Sequence, residues 1–179
     1  PFETVSITES KADYFLYHGN LSVGENNEAA LFLINEVFND IPHKLVIAGS
    51  KPSAELQKLA SERKNVELIQ NCSPEKIYDL IAHAKCNILP TFQSTGIKLK
   101  LLAALFLGKE CIVNTPMVVN TGLEALCEVA DTPNEMKKKI AEIAKQKEFS
   151  KQKIEMRKQI LEQNFSNKSG AIKLSKVIF

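Results

Sequence analysis

Short apolar runs alternate with longer segments in which apolar residues recur every three or four positions. Tyr14-Phe15-Leu16-Tyr17-His18 predicts a first strand, closed by Gly19. A helix follows, with Asn26 or Asn27 as its cap and Ala30, Leu33, Ile34, Val37 and Phe38 on one face. Pro42 ends it. Residues 44–48 predict a second strand, closed by Gly49, and Ser53 starts a helix that carries Leu56 and Leu59. Residues 66–69 predict a third strand. Ser73-Pro74-Glu75-Lys76 then places Ser at the cap and Pro at the first helical position, ahead of Ile77, Leu80, Ile81 and Ala84. Residues 86–89 form a fourth strand, stopped by Pro90. A polar loop leads into a helix from about Ile97 to Leu107, which Gly108 ends. Residues 110–114 give a fifth strand and residues 126–129 a sixth.

Strands that alternate with helices of this length are the signature of βα units in a parallel sheet covered on both faces. Right-handed crossovers then predict an α/β fold: a Rossmann-like, doubly wound parallel sheet of about six strands flanked by helices. From Thr132 onward the pattern is only helical. Thr132-Pro133-Asn134-Glu135 has capping-box spacing, and residues 149–164 and 169–179 predict two further helices. The expected organisation is a Rossmann-like domain over residues 1–131. A C-terminal helical extension over residues 132–179 packs on it through Met136, Ile140, Ile143 and Ala144.

Composition narrows the class. The chain is 44% apolar and 25% charged, which excludes a disordered segment. Its apolar runs are far shorter than the roughly 20 residues of a membrane-spanning helix. The start, Pro1-Phe2-Glu3-Thr4, has neither the basic nor the apolar stretch of a signal peptide and lacks Met, so a processed product or a fragment is expected. Cys72, Cys86, Cys111 and Cys127 form no CxxC pair and have no His at ligand spacing. They are expected as buried, reduced core residues of a reducing compartment, with no metal. The net charge of +2 conceals an acidic body, −6 over residues 1–136, and a basic tail, +8 over residues 137–179. Three roles are open to that tail: a solvated face, docking on another domain, or contact with an anionic membrane surface. Nucleic acid is not expected, because the lysines lack interleaved aromatics.

In an open parallel sheet, ligands bind beyond the carboxyl ends of the strands. The loop after Leu89, which runs from Pro90 to Lys100, is the most informative there. It is polar, contains Gly96 and opens a helix, whose N-terminus offers unpaired N–H groups beside Lys98 and Lys100. Two readings stand on the residues alone: a phosphate site, or a capped helix with two solvated lysines. Neither GxxxxGK[ST] nor GxGxxG is present. His18 ends the first strand, either as a pocket residue or as a packed imidazole bonded to backbone. Glu25, Glu28, Glu124, Glu128 and Asp131 read as solvated, no pair of catalytic carboxylates stands out, and no catalytic residue is assigned.

The segment Ser94-Thr95-Gly96-Ile97-Lys98-Leu99-Lys100-Leu101-Leu102-Ala103-Ala104-Leu105, followed by Gly108 and Glu110-Cys111-Ile112-Val113, resembles the donor-site helix of retaining GT-B glycosyltransferases of family 4. Tyr17-His18-Gly19-Asn20-Leu21-Ser22 resembles their first loop, and Val46-Ile47-Ala48-Gly49-Ser50 and Asn87-Ile88-Leu89-Pro90 resemble later strands. The likeness runs from about residue 14 to residue 125. It implies the C-terminal half of a two-domain enzyme that binds a nucleotide-diphosphate sugar and works on a glycan or polysaccharide with an N-terminal acceptor domain. The fragment alone would be inactive. The implied donor-binding residues are His18, Gly19, Asn20, Ser94, Thr95, Gly96, Ile97, Lys98 and Lys100, with no metal and no cofactor beyond the donor. A cytoplasmic location, peripheral at the inner membrane surface, goes with this reading.

Departures from the pattern carry a rival reading. Thr95 and Ala103 stand where the family commonly has two glutamates, Asn20 where Arg is usual, and Glu25 near where Lys is usual. The rival is a degenerate, non-catalytic module that binds a partner. A response-regulator or flavodoxin-like domain is disfavoured, because no Asp cluster ends the first strand.

Overall fold

The computed structural model describes residues 2–9, 12–93 and 98–169. Six strands form one sheet: β1 Tyr14–Asn20, β2 Lys44–Ser50, β3 Val66–Gln70, β4 Cys86–Leu89, β5 Glu110–Val113 and β6 Glu128–Val129. Every pairing is parallel, in the order β3-β2-β1-β4-β5-β6. The direction of winding reverses between β1 and β4, which makes their carboxyl ends a topological switch point. The fold is the Rossmann-like α/β sheet that the alternation predicts.

Both faces of the sheet are buried. Phe15 and Tyr17 belong to the larger apolar cluster, while Leu16, Val46 and Ala48 pack on the other face with Leu80, Ile81 and Ala84. His18 follows Leu16 by two positions and so shares its face. The β1–β2 register places Gly19 beside Gly49, and a Cβ at Gly49 would overlap the Gly19 carbonyl oxygen. Glycine there lets the two strand ends close up.

The helices are α1 Gly24–Phe32, α2 Ala54–Glu62, α3 Pro74–His83, α4 Leu99–Leu107, α5 Thr115–Val118, α6 Pro133–Ala144 and α7 Lys151–Arg157. Ser53 and Ser73 accept hydrogen bonds from the backbone of Leu56 and Lys76, and Thr132 with Glu135 forms a capping box. Other expectations are corrected. Neither Asn26 nor Asn27 caps α1, which starts at Gly24 after Val23 and runs on into a π-helical turn over Leu33–Val37. The sixth strand shrinks to Glu128–Val129, behind a 3-10 turn at Glu124–Leu126. The helix expected over residues 149–164 is α7 followed by a π-helical turn over Lys158–Glu162. The last expected helix, residues 169–179, lies outside the described residues after Ser169.

The acidic body and the basic tail meet. Met136, Ile140 and Ile143 of α6 are buried in the larger cluster. Lys137 pairs with Asp40 at 2.7 Å, Lys139 with Glu128 at 2.8 Å, and Lys153 with Glu110 at 2.8 Å and Glu128 at 3.1 Å. Arg157 is only 2% exposed and donates to the Gly108 carbonyl at 2.6 Å and the Leu105 carbonyl at 3.4 Å. Glu128 is therefore not a solvated acid, since it is half-buried and holds two lysines. Asp131 is exposed, as expected, and also accepts from the backbone and hydroxyl of Thr115. All four thiols are free. Cys86 and Cys111 are buried as expected, but Cys72 and Cys127 are only partly covered. Among the described residues no helix is long and apolar enough to cross a membrane.

Candidate functional site

The carboxyl ends of β1 and β4 frame a cleft. Asn26 is its organising side chain. Its Nδ2 donates to the Asn20 carbonyl at 2.9 Å, its Oδ1 accepts from Lys100 Nζ at 2.8 Å, and its backbone carbonyl accepts from the Tyr17 hydroxyl at 3.1 Å. Lys100, the second residue of α4, is thereby drawn toward β1, with Nζ 5.3 Å from the centre of the Tyr17 ring. The side chain read as a cap instead aims a cation.

The other side chains tie the loops together. Asn20 Oδ1 accepts from the Ser22 backbone and hydroxyl at 3.1 and 2.8 Å and from the Ser50 hydroxyl at 3.2 Å, which joins the ends of β1 and β2. Asn114 does the same for β4 and β5: its amide accepts from Thr91 N–H and donates to the Thr91 carbonyl. Thr91 Oγ1 donates to Glu25, so this acid also faces the cleft rather than open water. Lys98 Nζ donates to the Gln93 carbonyl at 3.0 Å.

Of the residues the sequence points to, His18, Gly19, Asn20, Lys98 and Lys100 sit at this end of the sheet. Ser94, Thr95, Gly96 and Ile97 lie outside the described residues. The sequence gives no site role to Tyr17, Glu25, Asn26 or Thr91. Tyr17 and Asn26 meet Lys100 across 83 and 74 residues, so no local motif reports either contact.

Burial governs the electrostatics. It pulls the Lys100 ammonium down to about 8; the charge of Glu25 opposes that fall and Lys98 adds to it. Burial, then the charge of Lys100, drives His18 down to about 3, so its imidazole is neutral at physiological pH. Among the described residues no carboxylate stands within ion-pair distance of Lys100. A cation held by neutral partners in a cleft can accept an anionic ligand.

A cavity of about 240 Å³ opens beside Lys100, between α3 and α4. Ile77, Ile81, Ala103 and Phe106 form much of its wall, and His18 reaches it from β1. No cluster of three His, Cys, Asp or Glu side chains suited to a metal occurs among the described residues.

The family model for glycosyl transferases group 1 matches residues 12–146. No curated protein matches significantly. Among solved structures, TarM shares 11% identity at a TM-score of 0.69, covering 97% of this chain and 36% of its own. The catalytic domain of starch synthase IV from Arabidopsis thaliana, bound to ADP and acarbose, shares 13% at 0.63, over 97% and 39%. AviGT4, a glycosyltransferase involved in avilamycin A biosynthesis, shares 19% at 0.56, over 86% and 50%. At these identities the likeness shows the fold alone. The chain spans half or less of the length of each.

Proposed function

The chain belongs to the glycosyl transferases group 1 family, and from that membership we propose that it is the donor-binding half of an enzyme that moves a sugar from a nucleotide-diphosphate sugar to an acceptor hydroxyl. The observation that carries this reading is Lys100, held at the switch point by Asn26 and Tyr17 with no carboxylate at ion-pair distance among the described residues. When the glycosidic bond breaks, negative charge grows on the departing diphosphate. A half-buried ammonium fixed beforehand stabilises that charge more than water would. A complex of S. aureus TarM with UDP supports a nucleotide as ligand.

Retention of anomeric configuration and a glycan or polysaccharide acceptor belong to the same proposal, as does a cytoplasmic site of action. The acceptor is held by a second domain, so the 179-residue chain alone turns nothing over. Lys138, Lys145, Lys147 and Lys151 remain exposed after the ion pairs are made. They suit that domain or an anionic membrane surface.

A second reading, a non-catalytic relative that binds a partner, is favoured by Asn20 and Glu25. The Asn20 side-chain oxygen is spent on Ser22 and Ser50, and Glu25 brings negative charge to a cleft meant for an anion. Calorimetric titration with UDP-, GDP- and ADP-sugars separates the two. Binding at millimolar concentration or tighter supports the donor site; absence of binding to all three overturns it. Lys100→Ala is expected to weaken a nucleoside diphosphate more than the matching nucleoside, and equal loss would remove Lys100 from the phosphate role.

A further inference from the structure

His18 presents a buried polar atom that the fold does not use. The residue is 5% exposed, and its Nε2 is shut off from water without a hydrogen-bond partner. Buried side-chain nitrogens are nearly always paired. A packed histidine bonded to backbone would satisfy that rule at Nε2, but no backbone group does so here. His18 lines the cavity between α3 and α4, whose walls are otherwise largely apolar and include Ile77, Ile81, Ala103 and Phe106. Lys100 stands at the same cavity.

We propose that His18 Nε2 is reserved for a ribose hydroxyl of the nucleoside whose diphosphate Lys100 holds. This rests on the donor-site reading and names the residue that recognises the nucleoside part. The chemistry selects the partner. A neutral imidazole has no charge to offer a phosphate, and the neighbouring ammonium opposes a second cation. A hydroxyl is the group it pairs with best. Beyond that contact the walls are apolar and suit a flat ring. A hexose carries hydroxyls all round and would leave several unpaired against Ile77, Ile81 and Phe106, at a cost. A nucleoside diphosphate presents an anion, hydroxyls and a planar base, and the cavity offers each a group of matching kind: Lys100, His18 and the apolar wall.

The test uses the full chain and calorimetry with UDP, ADP and GDP, each beside its 2′,3′-dideoxy counterpart. The parent is expected to prefer the ribose form about tenfold, the worth of one buried hydrogen bond. His18→Phe keeps the aromatic volume and is expected to bind both forms alike; His18→Gln retains a hydrogen-bonding end and part of the preference. On the parent itself, the His18 imidazole nitrogen resonance is expected to move with the ribose form and not with the dideoxy form, which needs no variant to fold. A parent without preference, or a preference that survives in His18→Phe, overturns the assignment and leaves the donor site standing. Absence of binding by any diphosphate is a different failure: it removes the donor-site reading first and this assignment with it.

Discussion

Lys100 and Arg157 are both cations drawn out of water, and they are treated in opposite ways. Arg157 reaches under the sheet to two backbone carbonyls, Gly108 and Leu105, and stacks 4.6 Å from the Phe149 ring. Around it Glu110 and Glu128 are matched by Lys153 and Lys139. These charges close the fold. Lys100, at the switch point, has an amide oxygen and an aromatic face for company. Burial without a matching carboxylate weakens its hold on the proton. A fold that spends one cation on its own backbone and leaves the other under-compensated has divided structure from recognition.

The largest expected effect tests the structural side. Arg157→Met leaves two buried carbonyls without their donor and is expected to cost about 3 kcal/mol, a fall of roughly 10 °C in Tm. Thermal unfolding followed by circular dichroism reads this directly. An unchanged Tm would break the contrast, since Arg157 would then be as dispensable to the fold as Lys100.

Lys100→Met is expected to do the reverse. Stability should move by less than about 1 kcal/mol, because the lost bond is offset by a charge no longer buried. Affinity for a nucleoside diphosphate should fall roughly ten- to a hundredfold, as befits a hydrogen bond to a charged group. A large loss of Tm with binding intact would reverse the roles of the two cations.

Acidity sharpens the comparison further. Lys100 sits at about 8 in the folded chain against 10.5 for an ordinary lysine. Between those values the unfolded chain keeps a proton that the folded chain has released, so this group makes stability rise with pH across that window. Diphosphate affinity should run the other way, falling up to about tenfold between pH 7 and pH 9 as the ammonium is lost. Titrations at the two pH values, with Lys100→Met as the flat control, check the sign. The smallest effect is expected from Glu25→Gln, which removes a carboxylate facing the cleft. Diphosphate binding should strengthen by up to roughly fivefold, as for a partly exposed charge pair. Weaker binding in this variant would mean that Glu25 assists the anion instead of opposing it.

The two regions also differ in how readable they were. The caps at Ser53, Ser73 and Thr132 were legible because cap and partner lie three residues apart. The apolar stripe of α6 was legible for the same reason. Asn26 was misread because a residue favoured at helix caps is equally suited to a hydrogen bond across the fold, and Lys100 lies 74 residues away. Glu25 and Glu128 were read as solvated acids, the usual fate of such residues, yet Thr91 and Lys153 reach them from other elements. Arg157 carried no signal in the sequence, since nothing local shows that its guanidinium lands on Gly108.

By itself the sequence determined the alternation of strands and helices, hence the parallel sheet, and the division into acidic body and basic tail. Periodicity, capping and charge counts are properties of neighbouring residues, so they survive without a fold. Only the tertiary structure decided which cation is spent and which is held ready, and left His18 Nε2 without a partner. Desolvation and pairing are sums over every element packed around a group, and strand order brings those elements together from distant parts of the chain.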